Sequence, residues 1–213
     1  LWRRRGKRST AWLLSLLLAH GLGALSLVPP PAFASLRLGA WQPAVPTREK
    51  FSLERQRHFN AAVSSASQQA QALQVEALVA PEGTLPSRWQ PDDVDGLPLP
   101  LISGGFRWVR GQLRSSVLLG LPGRAGLEPL VDKHRLVPLG EWLPPLPAGL
   151  TRGLSAVGGL QPGNASRYAE AWPSTSAIAI CYEISHGWAL AQASAQGAEW
   201  LLTIANLDPH PQL

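Results

Sequence analysis

Twice along this chain a short apolar run, a longer amphipathic stretch and a second short apolar run follow one another. The first set is SLRLGAWQP (35–43), TREKFSLERQRHFNAAVSSASQQAQALQ (47–74) and VEALVAP (75–81). The second is SAIAICYE (176–183), SHGWALAQASAQGAEW (185–200) and LLTIAN (201–206). Leu36, Leu38 and Ala40 alternate up to a closing proline, the period of a strand. The polar stretch 47–74 carries apolar spots at Phe51, Phe59, Ala62 and Val63, which predicts a helix, with Thr47 as N-cap and Lys50 where a capping box prefers an acid. Between the two sets, 97–123 reads as two strands, near 101–108 and 114–120. Residues 131–150 are broken by prolines into a loop that is more often functional than idle, and 151–170 give only weak turn signals. The β-α-β order at both ends argues an open or sandwiched α/β domain. Twenty Pro and twenty Gly fit a turn-rich α/β or all-β chain better than a helical bundle.

Ahead of this body, Arg3, Arg4, Arg5, Lys7 and Arg8 precede the 18-residue apolar run AWLLSLLLAHGLGALSLV, 11–28. As a helix that run rises about 27 Å, close to the hydrocarbon thickness of a bilayer. The positive flank puts its start in the cytoplasm and whatever follows on the outer face. A signal peptide with a cleavage site near Ala32 and Ala34 is the second reading; a buried soluble helix is a third, disfavoured by five adjacent positives. The expected organisation is a basic flank (1–10), a transmembrane helix (11–28), a linker (29–34) and an α/β domain (35–213).

Those five cations also account for the formal net charge of +5, since the remaining 14 basic residues match 14 acidic ones. No dispersed basic footprint is left for nucleic acid. One cysteine rules out an internal disulfide. The absence of methionine, and a body that stops at DPHPQL one strand past the cysteine, lead to the expectation of an internal piece of a longer protein, truncated at its C-terminal side. The sequon NAS (164–166) reads as chance.

Three polar residues sit where strand-like runs end. Glu82, in ALVAPEG, is either a turn residue facing solvent or a working acid beyond a strand's carboxyl end. Lys133, in VDKHR, is either one of a solvated charge cluster or a held ammonium. Cys181 is either a small buried hydrophobe or a nucleophile, and the SHG turn after it suggests a helix N-terminus that favours thiolate. A thiol with a pKa of about 8.5 is mostly protonated at neutral pH and calls for a base or a nearby cation. A carboxylate can take its proton and an ammonium can stabilise an oxyanion, so the three form a usable acyl-transfer set. A Cys–His pair through His186 is the rival. No His or Cys spacing suits a metal, and no cofactor is expected.

APEG, DKHRLVPLGEWLP and ICYEIS, in that order, resemble the nitrilase-like carbon–nitrogen hydrolase superfamily. KHRLVPLGEWLP, CYE and LLTIAN are most similar to its membrane branch, the apolipoprotein N-acyltransferases, and the resemblance covers roughly Leu36 to Asn206. It implies a four-layer αββα sandwich and a triad of Glu82 as general base, Lys133 stabilising the intermediate and Cys181 as nucleophile. Glu141 would support the lysine, and Glu183 matches a further important acid. The resemblance also implies a phospholipid acyl donor, a lipoprotein acceptor and a place in the bacterial inner membrane with the catalytic domain outside. Trp89, Trp108, Trp142, Trp172 and Trp188 are candidate interface anchors or packing residues. The family has more membrane helices before this one and further strands and helices after LLTIAN. An exported amidase for a small amide, or an inactive envelope fragment, are the alternatives.

Overall fold

The chain is described by a computed structural model over residues 2–25, 36–44, 52–86, 96–145, 147 and 159–206. Two compact units are present, Leu1–Leu36 and Arg37–Leu213.

The first unit holds helix α1, Trp2–Leu25. It begins earlier than the apolar run and takes in the basic flank, because Arg and Lys are good helix formers that extend a helix already nucleated downstream. Its large apolar side chains, among them Trp12, Leu14 and Leu17, are exposed. The polar groups inside it are satisfied locally: Ser15 Oγ donates to the Ala11 carbonyl and His20 Nδ1 to the Leu16 carbonyl, both at 2.9 Å. Among the described residues no helix is long and apolar enough to cross a membrane. The expected span 11–28 runs past Leu25, and its last residues lie outside the described ones, as do the linker and Thr47 and Lys50 of the expected helix cap. The described part of the run, 11–25, falls short of the roughly 20 residues a crossing helix needs.

In the second unit, strand β1 (Leu38–Ala40), helix α2 (Leu53–Ala72) and strand β2 (Ala77–Ala80) make the first crossover. β1 and β2 pair in parallel, an arrangement that needs a crossover connection, here supplied by α2. β3 (Leu101–Val109) lies parallel to β2 and antiparallel to β4 (Gln112–Gly120). A two-residue turn joins β3 and β4, with φ of 50° at Arg110 and 76° at Gly111, the pattern that matches strand twist in a tight hairpin. β5 (Glu128–Asp132) closes this five-stranded sheet, ordered β1-β2-β3-β4-β5. The second sheet holds β6 (Tyr168–Ala171), β7 (Ser174–Ile180) and β8 (Trp200–Ile204), with helix α3 (Gly187–Ala195) as the crossover between the parallel β7 and β8.

Side-chain alternation along the strands builds the layers. Ile102, Val117, Leu119 and Val131 of the first sheet form one core with Ile178, Ile180, Leu202 and Ile204 of the second. On the first sheet's other face, Leu78, Ala80, Leu101 and Leu118 pack with Phe59, Val63, Ala66 and Ala70 of α2. Ala177 and Ala179, out of phase with the isoleucines of β7, are buried on the side where α3 lies with Ala189 and Ala193. Small residues on both partners allow close helix-to-sheet approach. The order of layers is helix, sheet, sheet, helix.

Two strands escaped the sequence reading. β5 is EPLVD, an edge strand whose Pro129 needs no ladder partner on its open side. β6 is a four-residue edge strand, YAEA, too short to display a period. The expected helix from 185 begins at Gly187 instead, because Cys181–Ser185 forms a turn of 3-10 helix first.

Candidate active site

Each of the three singled-out residues stands one or two positions beyond the C-terminal end of a strand. Glu82 follows β2 through Pro81, Lys133 follows β5, and Cys181 follows β7. Strand ends place them at one rim, where open α/β sheets put working groups.

The Glu82 turn rides over β3. The Leu85 N–H donates to the Gly104 carbonyl at 3.0 Å, and Thr84 Oγ donates to the Pro81 carbonyl at 2.9 Å. A Cβ on Gly104 would run into Glu82 Cα and the Pro81 carbonyl oxygen, so glycine is what lets strand and turn come this close. Glu82 is buried, which removes the solvent-facing reading. Its Oε1 accepts from Lys133 Nζ at 2.9 Å and stands 3.5 Å from the Ser115 hydroxyl.

Lys133 is 0% exposed, which removes the solvated-cluster reading as well. Its backbone N–H donates to the Ser115 carbonyl of β4 at 2.8 Å, and its ammonium donates to Glu141 Oε1 at 2.6 Å as well as to Glu82. Burial is the largest influence on this group and works against its charge. Attraction to Glu82 and Glu141, with hydrogen bonds to both, outweighs it and holds the ammonium above the ordinary lysine value. Glu141 is aimed by its own loop: Oε2 accepts from the Val137 N–H at 2.9 Å, and the Glu141 N–H donates back to the Val137 carbonyl at 2.8 Å.

Cys181 has φ of 55°, a left-handed conformation rare for a residue with a side chain. That turn stops β7 and presents the half-buried thiol outside the strand's alternation. The sequence reading expected a helix N-terminus to lower its pKa; the direction is the reverse. Burial pushes the thiol up, repulsion from Glu82 adds to it, and Lys133 and a hydrogen bond from the Tyr182 backbone only partly offset them. Glu82, Lys133 and Glu141 all act on this sulfur electrostatically. The histidine rival is weakened, because His186 Nδ1 accepts from Arg135 at 2.8 Å and His134 Nδ1 donates to the Gly163 carbonyl at 2.9 Å.

Glu183 sits deeper, 2% exposed, and its carboxylate receives the N–H groups of His134, Arg135 and Ile180 together with the Arg167 guanidinium. Arg167 went unnoticed in the sequence, where it lies in a stretch of weak turn signals. A lone arginine there gives no hint that it is 4% exposed. Asp132, read as part of a charge cluster, instead takes Arg107, Arg114 and Ser116 at 2.7–3.0 Å. Of the candidate tryptophans, Trp108, Trp142 and Trp188 are exposed, Trp172 packs against the core between the sheets, and Trp89 lies outside the described residues. Among the described residues no group of His, Cys, Asp and Glu is arranged to hold a metal ion.

No protein-family model matches the chain. A protein of Parasynechococcus marenigrum (strain WH8102) named apolipoprotein N-acyltransferase is 80% identical over 213 residues, which are 100% of this chain and 46% of that protein. One of the same name from Prochlorococcus marinus (strain MIT 9313) is 58% identical over 202 residues, 93% of this chain and 40% of its own length. The chain thus spans less than half the length of these curated relatives. Among solved structures, an amidase of the nitrilase superfamily from Nesterenkonia sp. AN1 superposes with a TM-score of 0.55 at 14% identity, covering 84% of this chain and 68% of the amidase. A nitrilase-superfamily protein from Saccharomyces cerevisiae gives 0.50 at 10% identity, over 73% and 60% of the two chains. A buried carboxylate–ammonium–carboxylate cluster beside a thiol, on a fold shared with nitrilases, therefore lies in a chain homologous to part of the proteins named apolipoprotein N-acyltransferase.

Proposed function

We propose that this chain is the catalytic part of an N-acyltransferase that moves a fatty acyl group from a membrane phospholipid to the N-terminal amine of a lipoprotein's diacylglyceryl-cysteine, through a thioester on Cys181. The observation that carries the reading is the Lys133 ammonium held between Glu82 and Glu141, with all three groups acting on one thiol.

In the first half-reaction Cys181 gives its proton to Glu82 and its sulfur attacks the ester carbonyl. The oxyanion of the tetrahedral adduct is stabilised by Lys133, and collapse breaks the ester C–O bond. The departing alkoxide recovers the proton from Glu82, leaving a lysophospholipid and a thioester. In the second half-reaction the amine attacks the thioester carbonyl and loses a proton to Glu82. Cleavage of the C–S bond yields an amide, and the departing thiolate takes the proton back from Glu82 to restore the thiol. A neutral resting thiol suits this sequence, because Glu82 is then needed only at the moment of attack.

The place proposed for the parent protein is the bacterial inner membrane, with this domain on the outer side. Five cations ahead of an exposed apolar helix support it, as does a substrate pair that lives in the bilayer. The crossing would require residues beyond Leu25.

The test uses the full-length protein in phospholipid vesicles with a diacylglyceryl-cysteine peptide. A mass shift of one acyl group on the Cys181 peptide and acylation of the acceptor amine are expected, both lost in Cys181→Ala. Release of free fatty acid at the same rate without acceptor would replace the transferase reading with a hydrolase.

A further inference from the structure

Cys181 and Lys133 follow strands of different sheets, and among the described residues no strand pairing joins those sheets. Glu183 bridges them. Its Oε1 accepts from the N–H groups of His134 at 2.8 Å and Arg135 at 3.0 Å, just after Lys133. Its Oε2 accepts from the N–H of Ile180 at 3.1 Å, just before Cys181. One buried carboxylate thus fastens the backbone next to the nucleophile to the backbone next to the ammonium.

That carboxylate has a buried counter-ion. Arg167 Nη1 donates to both oxygens of Glu183, at 3.1 and 2.9 Å. Its Nη2 donates to the Asp132 carbonyl at 2.9 Å, on the other side of Lys133, and to the Asn164 carbonyl. The planar fork of a guanidinium can meet a carboxylate and two carbonyls at once, which an ammonium on a single point cannot do.

We propose that Arg167 is a positioning residue for the reaction: by holding both oxygens of Glu183 and gripping the Asp132 carbonyl, it fixes how Lys133 stands relative to Cys181. The proposal takes Cys181 as the nucleophile of the acyl-transfer reading and otherwise concerns only the geometry of this chain. The charged and titratable groups facing the pair are Asp132, which attracts Arg167, and His134, Arg135 and His186, which line the cavity beside it.

Without the guanidinium, Glu183 is a buried carboxylate lacking its counter-charge, and burial then favours the neutral acid. The acid's proton makes one oxygen a donor, so an accepted N–H contact is given up. Lys133 and Cys181 then lose their common anchor.

The test follows iodoacetamide alkylation of the Cys181 peptide against pH in the full-length protein, alongside thermal midpoints and kcat and KM for acyl transfer. Arg167→Met is expected to add an ionisation to that alkylation profile, with alkylation about tenfold slower below it, one pKa unit's worth of thiolate. The double variant Arg167→Met/Glu183→Gln should lose that ionisation and stay slow at all pH. Arg167→Lys should keep one ionisation but remain slow, with kcat reduced more than KM is raised. If Arg167→Met does not fold, Arg167→Lys decides, and alkylation at the unsubstituted rate overturns the proposal. So does an unchanged profile in Arg167→Met with only a lower thermal midpoint, or an added ionisation that survives in the double variant. Absence of acyl transfer by the unsubstituted protein would remove the acyl-transfer reading and leave the alkylation result to stand by itself.

Discussion

Lys133 Nζ lies 2.6 Å from Glu141 Oε1 and 2.9 Å from Glu82 Oε1, so a single ammonium is shared by two carboxylates in a place where it is 0% exposed. Glu141 reaches it from a loop eight residues downstream, while Glu82 comes from the end of a different strand 51 residues upstream. The lysine is therefore both a chemical group and the link that holds the loop to the sheet.

Removing that link should be costly. Lys133→Met leaves two carboxylates without a counter-ion, and loss of one partner from a buried ion pair typically costs about 3–5 kcal/mol. Urea unfolding of the full-length protein measures it; a loss under about 1 kcal/mol, the worth of a surface pair, would mean the cluster is more hydrated than its burial indicates. Lys133→Arg keeps the charge but not the reach, and acylation of Cys181 should still be abolished.

The same ammonium gives an alkaline limit. Its folded pKa is raised, so its contribution to stability is complete below the unfolded value of about 10.4 and is lost as pH rises through the folded value. Glu141→Gln removes one of the attractions that raise it and should bring the loss of stability to lower pH. Thermal midpoints taken across that alkaline range would show the shift. A midpoint curve that does not move would separate Glu141 from the lysine's ionisation.

The thiol is shifted upward as well, which for a thiol disfavours the charged form. Burial and the negative charge of Glu82 both raise it, so alkylation of Cys181 should be slow at neutral pH and climb only above the usual thiol range. Glu82→Gln takes away the repulsion while Lys133 stays, and the alkylation curve should move to lower pH even as acyl transfer is lost. A curve moving upward would show that Glu82 acts on the thiol chiefly through its hold on Lys133.

Gly104 tests how the acid is mounted. Gly104→Ala drives a methyl into the Glu82 backbone, which has no side-chain freedom to yield. Overpacking of this kind costs about 1–3 kcal/mol, and the turn carrying the carboxylate must lift. Acylation of Cys181 should fall more than stability does. Equal acylation rates in the variant would mean that Glu82 tolerates displacement.

Both β-α-β units were legible from the chain itself, because a period of two and an amphipathic stretch are local properties that hydrophobic burial enforces residue by residue. The apolar runs ending at Pro81 and at Cys181 marked strand ends for the same reason, and with them came Glu82 and Cys181 as candidates. Lys133 stood out only in company with the motif around it. Tertiary structure alone decided the rest. Pro129 and the brevity of YAEA hid two edge strands, each of which is held as a strand by antiparallel pairing with the strand next to it in the chain rather than by a period of its own. Arg167 shows nothing locally of its 4% exposure or its grip on Glu183, since the desolvation of a charge depends on what the other layers bring against it. The direction of the Cys181 shift turned for that reason too: the carboxylates facing the sulfur come from elements 40 and more residues away, and their field, with burial, outweighs the local turn.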